Sequence, residues 1–224
     1  MWSVGASGQF SVYVFLVLVT VVVASVTMFW WLAVRWTVRR NWAALNEWAR
    51  TRGMTVQSVD DGTTPSIELP SVLSDLAPLG PTVRVLITDG KRTLVSLVTP
   101  TTPHSREVAS PSNWHVLLYK LEVAWPPTAL RPAANAVSLV DLLPLTSFPS
   151  LTNSERFVVF GTESVAAKRI AGSSIRALLP PDTGMMLLGQ FMVFDFSARP
   201  FDPIEFGRAI ALAEQMTTFL PANV

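Results

Sequence analysis

The sequence predicts an α+β domain with a mainly antiparallel sheet and packed helices, carried behind one N-terminal transmembrane helix. Three observations point there. No side chain from Val12 to Val34 is charged. Paired β-branched runs flank turn residues in the middle of the chain, so hairpins outnumber β-α-β units. The last third closes on amphipathic segments with helix-capping residues.

The uncharged run comes first. About 23 residues at 1.5 Å each span about 35 Å, enough for a hydrocarbon core of about 30 Å. A cleaved secretory signal would begin with a basic region, and Met1 to Phe10 holds no basic side chain. Residues 1–10 are therefore expected as a short extracytoplasmic tail, 11–35 as the transmembrane helix, 36–53 as a juxtamembrane helix and 54–224 as a cytoplasmic α+β domain. Arg35, Arg39, Arg40, Arg50 and Arg52 follow the run, with only Glu47 opposing them. That asymmetry predicts an N-out, C-in orientation in the inner (cytoplasmic) membrane. Trp30, Trp31 and Trp36 fall where an interfacial aromatic belt belongs, and Arg35, Arg39 and Arg40 where headgroups lie. The lipid bilayer is the first expected partner.

"NWAALNEWARTRG" then places Trp42, Leu45 and Trp48 or Ala49 on one helical stripe, with Gly53 as the stop. Met54 to Val59 reads as a strand ending at the turn Asp60-Asp61-Gly62, and "LPSVLSDLAPLGP" as a short helix before Pro81. "TVRVLITDGKRTLVSLV" reads as a hairpin with Asp89-Gly90 as a two-residue type I′ turn. Trp114 to Ala124 alternates as a strand that Pro126 and Pro127 should end. A proline-dense connector with one helical turn around Val137 to Leu142 follows. "RFVVF" is a strand, "TESVAAKRIA" a helix that Thr162 would cap, and "SSIRALLP" a second short helix. "MMLLGQFMVFDFS" is one bent strand or a hairpin broken at Gly189-Gln190. Asp202, Pro203 and Glu205 fit the N-cap, N1 and N3 positions of a last helix. Its stripe Phe206, Ala209, Ile210, Ala213, Thr217 and Leu220 would pack on the sheet.

"LNEWARTRGMTV" behind a transmembrane helix, "LEVAWPPTAL", "ERFVVFGTESVAAKRI" with "ALLPPD", and the closing "PFDPIEFGRAIALAEQM" together resemble a family of uncharacterised bacterial membrane-anchored proteins. The resemblance covers most of Trp42 to Pro221. It implies an anchor followed by an α+β domain. Its motifs are packing patterns with no assigned activity, so it transfers no functional residue. The proline-dense middle departs from the less proline-rich, acidic connection expected of that family.

Composition narrows the chemistry. The 224 residues are 50% hydrophobic and 15% charged, against roughly 25% charged in a typical soluble chain. Seventeen basic and 16 acidic residues leave a net charge of +1, so no global field recommends nucleic acid as a partner. Cysteine is absent, which excludes disulfides, thiolate nucleophiles and cysteine metal sites. The two histidines, His104 and His115, have no metal-ligand spacing. Neither a metal nor a cofactor is expected. No GxSxG elbow or phosphate-binding glycine loop occurs.

Four residues remain as ligand candidates. Thr162 and Glu163, between a strand and a helix, could offer free N–H groups to an anion, but Glu163 would repel phosphate, so capping is the favoured reading. Asp195, an acid within an apolar strand, is either buried or turned to solvent by alternation. His115 lies in the predicted strand from Trp114. The expectation that follows is a non-enzymatic single-pass subunit or scaffold that docks its cytoplasmic domain on a larger membrane protein complex. A membrane-anchored ligand-sensing domain, or a membrane-tethered hydrolase, is the alternative. No catalytic residue is assigned.

Overall fold

The structure, a computed structural model, describes residues 5–58, 68–99, 113–134, 138–162, 165–172 and 175–220. Within the first helix the described side chains are those of residues 15, 17–30 and 43 onward. The chain divides into two units, Met1–Glu47 and Trp48–Val224.

The first unit is helical. The predicted membrane segment and the helix expected over 36–53 belong to one element, α1, Gly5–Thr51. Every described side chain from residue 17 to residue 30 is exposed. Ser25 and Thr27 return their hydroxyls to the carbonyls of Val21 and Val23, four residues back, which hides their polarity inside the helix surface. Among the described residues no helix is long and apolar enough to cross a membrane.

The second unit is an α+β fold around a seven-stranded sheet in which every pairing is antiparallel. After α1 ends, the Met54 amide reaches back to Ala49 O at 3.0 Å and Gly53 takes φ 67°, the left-handed stop that glycine accepts without a Cβ clash. The strands are β1 Thr55–Ser58, β2 Thr82–Thr88, β3 Arg92–Val98, β4 Asn113–Pro132, β5 Ser150–Asn153, β6 Phe157–Gly161 and β7 Gly184–Asp195. Their order is β1-β2-β3-β4-β6-β5, with β7 along the other edge of β4. β4 is thus the spine. Its first half lies between β3 and the end of β7, and its second half between β6 and the start of β7.

β4 runs through Pro126 and Pro127 instead of stopping before them. Its register against β7 jumps from Lys120↔Phe191 to Trp125↔Gly189 and then to Thr128↔Leu187. Both prolines fall where the ladder is already broken, so their missing N–H groups forfeit no bond. The β2–β3 turn is likewise displaced by one residue from expectation. Asp89 is its first residue: its amide donates to Arg92 O, and its Oδ1 accepts from the Lys91 and Arg92 amides at 3.0 and 2.7 Å. Gly90, at φ 86°, and Lys91 are the central pair. The carboxylate's reach to amides two and three residues on selects this position. Burial opposes ionisation of Asp89, but the bonds from Arg92 and Lys91 outweigh it and hold its pKa below the usual value.

Two predicted short helices are 3-10 segments, Ser71–Leu79 and Leu139–Leu142, and a further one is Pro144–Ser147. The predicted turn at Asp60-Asp61-Gly62 lies outside the described residues. β5 has no counterpart in the sequence reading, while "MMLLGQFMVFDFS" is one strand that turns at Gly189, φ 58°. The helices α2 Val165–Gly172, α3 Ile175–Leu178 and α4 Pro203–Thr217 complete the unit. The Asp202 side chain accepts from the Ile204 and Glu205 amides as the predicted cap. α4 buries Phe206, Ala209, Ile210, Ala213 and Met216; Met216 replaces the predicted Thr217 because 3.6-residue spacing from Ala213 favours it as well, and its thioether is apolar. The core gathers Leu73 and Leu76 from the first 3-10 segment, Leu139 and Val140 from the second, and Val95, Trp114, Val116, Leu118, Met186 and Val193 from the sheet.

Candidate functional site

Where β7 ends against β4, Asp195 pairs in register with Val116 and is only 3% exposed. Both of its oxygens are occupied. Oδ2 accepts from Ser138 Oγ at 3.1 Å and from the Leu139 amide at 2.7 Å. Oδ1 accepts from the Ser197 amide at 3.1 Å and from Ser197 Oγ at 2.5 Å. A buried carboxylate survives without a counter-ion when several donors meet it. Here the donors come from the start of a 3-10 segment and from the turn after β7, so Asp195 clamps the irregular connector to the sheet. The approach is close: a Cβ on Gly184 would stand 3.1 Å from Ser138 Oγ and 3.3 Å from Asp195 Cβ.

His115 is drawn to the same corner. Its amide donates to Ser197 Oγ at 3.0 Å, and its Nδ1 lies 3.1 Å from Arg199 O. With a carbonyl as partner, Nδ1 carries the proton and Nε2 is left as the acceptor. The ring packs on Phe201 and Phe196 at centroid distances of 4.8 and 6.1 Å. Burial pushes the His115 pKa down, and the Arg199 carbonyl and the charge of Asp195 offset only part of that. The imidazole is therefore neutral at pH 7.

The corner continues into an ion-pair network that the sequence did not disclose. Arg199 grips Asp182 with Nη2 at 2.7 Å and Nε at 3.1 Å, and reaches Glu205 with Nη1 at 3.1 Å. Glu205 also pairs with the exposed Arg208. The Asp182 hydrogen bond does most to raise the Arg199 pKa. Burial works against the Asp182 charge, yet the Arg199 guanidinium holds its carboxyl below the ordinary value. Beside this network is a cavity of about 330 Å³. Phe194 of β7, Phe196 just past its end, and Ala209 and Leu212 of α4 form its apolar walls, and Arg199, Glu205 and Gln215 its polar side. An apolar recess with a few fixed polar groups is the usual form of a small-ligand site.

Asp195 and His115 are thus brought together, but neither lines that cavity. Asp195 is committed to holding backbone, a poor position for a general base. Thr162 is half-buried and its amide donates to Pro127 O at 3.4 Å. The described part of α2 begins at Val165, and the residues between it and Thr162 lie outside the described ones. Glu163 lies outside the described residues. Trp30 is 71% exposed, whereas the side chains of Trp31, Arg35, Trp36, Arg39 and Arg40 are not among those described. No group of three or more potential metal ligands occurs among the described residues. Ser138 and Asp195 are 57 positions apart, a distance over which no spacing rule could have linked them.

No family model matches the sequence, and no curated relative does. Among solved structures the chain is similar to the crystal structure of the mycobacterial trehalose monomycolate transport factor A, TtfA, at 13% identity and a TM-score of 0.50. The match covers 78% of this chain and 90% of that one. At this identity the likeness concerns the fold alone.

Proposed function

We propose that this protein is a non-enzymatic single-pass membrane subunit or scaffold, held in the inner (cytoplasmic) membrane by α1 with its N-terminus outside. In this reading its α+β unit lies in the cytoplasm and docks on a larger membrane protein complex. The observation that carries the proposal is the exposed apolar surface of α1. Its large side chains range from 40% exposed at Val19 to 76% at Phe29, and they face every direction around the axis. A helix that is apolar all round belongs in a core or in lipid, and contiguous apolar surface of this extent is rare on a soluble monomer. Residues 17–30 alone rise roughly 20 Å, less than a hydrocarbon core of about 30 Å. The uncharged sequence from Val12 to Val34 supplies the remaining length.

The orientation rests on Arg35, Arg39 and Arg40 following the run, with no basic side chain before it. The docking role is supported by the way the corner around Asp195 is built, as a clamp and not as a reactive group. Gentle co-purification of the full chain from native membranes, followed by native mass measurement, tests this reading. A stoichiometric membrane-protein partner is expected, and a clean monomer across mild detergents would contradict it.

The second reading, a ligand-sensing domain, is favoured by the cavity between β7 and α4. Hydrolysis draws no support from the geometry, because Asp195 and His115 do not line that recess.

A further inference from the structure

A second groove, separate from the corner around Asp195, opens where β4 departs from β7. Between Lys120 and Trp125 the strand advances five residues while β7 advances two, from Phe191 to Gly189. The surplus bows outward and leaves a recess of about 330 Å³. Tyr119, Leu121 and Trp125 line it with relative exposures of 4%, 8% and 4%, so its floor is apolar and aromatic. Thr217 and Leu220, at the end of α4, supply the opposite wall.

Two ammonium groups share the rim. The Lys120 amide donates to Lys91 O at 2.8 Å, which sets the β2–β3 turn beside β4 and both lysines at the recess. Lys91 Nζ lies 5.2 Å from the centre of the Tyr119 ring, an aromatic contact that leaves the charge unneutralised. Neither lysine side chain has a carboxylate partner among the described residues. Glu122 also lines the recess, so the three side chains together carry one net positive charge. That balance suits a single anionic group better than a polyanion. Outside α1, the exposed large hydrophobic side chains among the described residues are Val123, Ile204 and Phe219. Val123 lines this recess, and Phe219 adjoins Leu220 in sequence.

We propose that this recess binds an anionic amphiphile: one phosphate or carboxylate head held by Lys91 and Lys120, and an acyl chain laid over Tyr119, Leu121 and Trp125 toward Val123. A bulge that re-aims side chains beside a binding site is a recurring use of that irregularity. The inference does not depend on the anchor or on the docking role.

Equilibrium dialysis of the full chain in neutral phosphatidylcholine nanodiscs against radiolabelled dodecyl phosphate tests it, with empty nanodiscs subtracted. Saturable one-to-one binding is expected. K91A/K120A should weaken it at least tenfold, and K91R/K120R should retain it. Inorganic phosphate, the head alone, and dodecanol, the tail alone, should each bind at least tenfold more weakly. Because both lysines are exposed, the double variant should keep the parent's circular dichroism and melting temperature. Undiminished binding to K91A/K120A, or dodecanol binding as tight as dodecyl phosphate, would overturn the charged half of the proposal. Equal binding of inorganic phosphate would overturn the apolar half, and failure to saturate would overturn both.

Discussion

Asp195 shows how much a single side chain can organise. Asp195→Asn keeps the shape but presents an N–H₂ group to two donors, leaving the Leu139 amide or Ser197 without an acceptor in a buried site. A loss of about 2–3 kcal/mol is expected, read as a lower melting temperature of the full chain in nanodiscs. Unchanged stability would show that the clamp is dispensable. Gly184→Ala should crowd the same contact and cost about 1 kcal/mol or more, since the nearest atom is the Ser138 hydroxyl that Asp195 holds. His115 adds a pH dependence. Its folded pKa lies below 6.5, so above that pH neither state takes up a proton and its contribution is constant. As pH falls below 6.5, the unfolded chain protonates first and stability drops. Asp182, with its pKa lowered from 3.8, keeps its contribution above that value and loses it only as pH falls further, through its folded pKa. His115→Gln should therefore flatten the decline in melting temperature between about pH 6.5 and pH 5, whereas His104→Gln serves as the control. An unaltered slope in the His115 variant would refute a buried neutral imidazole.

At the scale of elements, the sequence was most legible where local chemistry decides. Asp202 caps α4 as its spacing with Pro203 and Glu205 implied, and Asp202→Ala should cost about 1 kcal/mol by thermal unfolding, because two amides lose their acceptor. Gly53 and Gly189 also mark where a helix stops and a strand turns. Local chemistry failed where tertiary pairing overrides it. Pro126 and Pro127 signal the end of a strand, yet β4 continues because β7 and β6 resume pairing at Thr128. At the hairpin, the Asp89 carboxylate moved the turn by one residue, a competition between side chain and backbone that dipeptide preference does not capture. The candidate site was half legible. An acid in "FMVFDF" and a histidine in a strand drew notice, but their meeting depends on the β4–β7 register. Arg199 and Asp182, which lie in or beside turns, carried no periodic signal at all.

At the scale of the whole molecule, residues 17–30 of the first unit expose a helical surface apolar on every side, and the second unit builds its own core around β4. That division explains the composition: 50% hydrophobic with 15% charged is more apolarity than one such sheet core needs, and α1 carries the excess. The likeness to TtfA concerns the fold alone and leaves the anchor to be tested by itself. Alkaline carbonate extraction of membranes from cells making the full chain, followed by centrifugation and immunoblotting, does so most directly. The protein should stay in the membrane pellet with integral proteins, and its release into the supernatant with peripheral proteins would contradict a membrane-spanning α1.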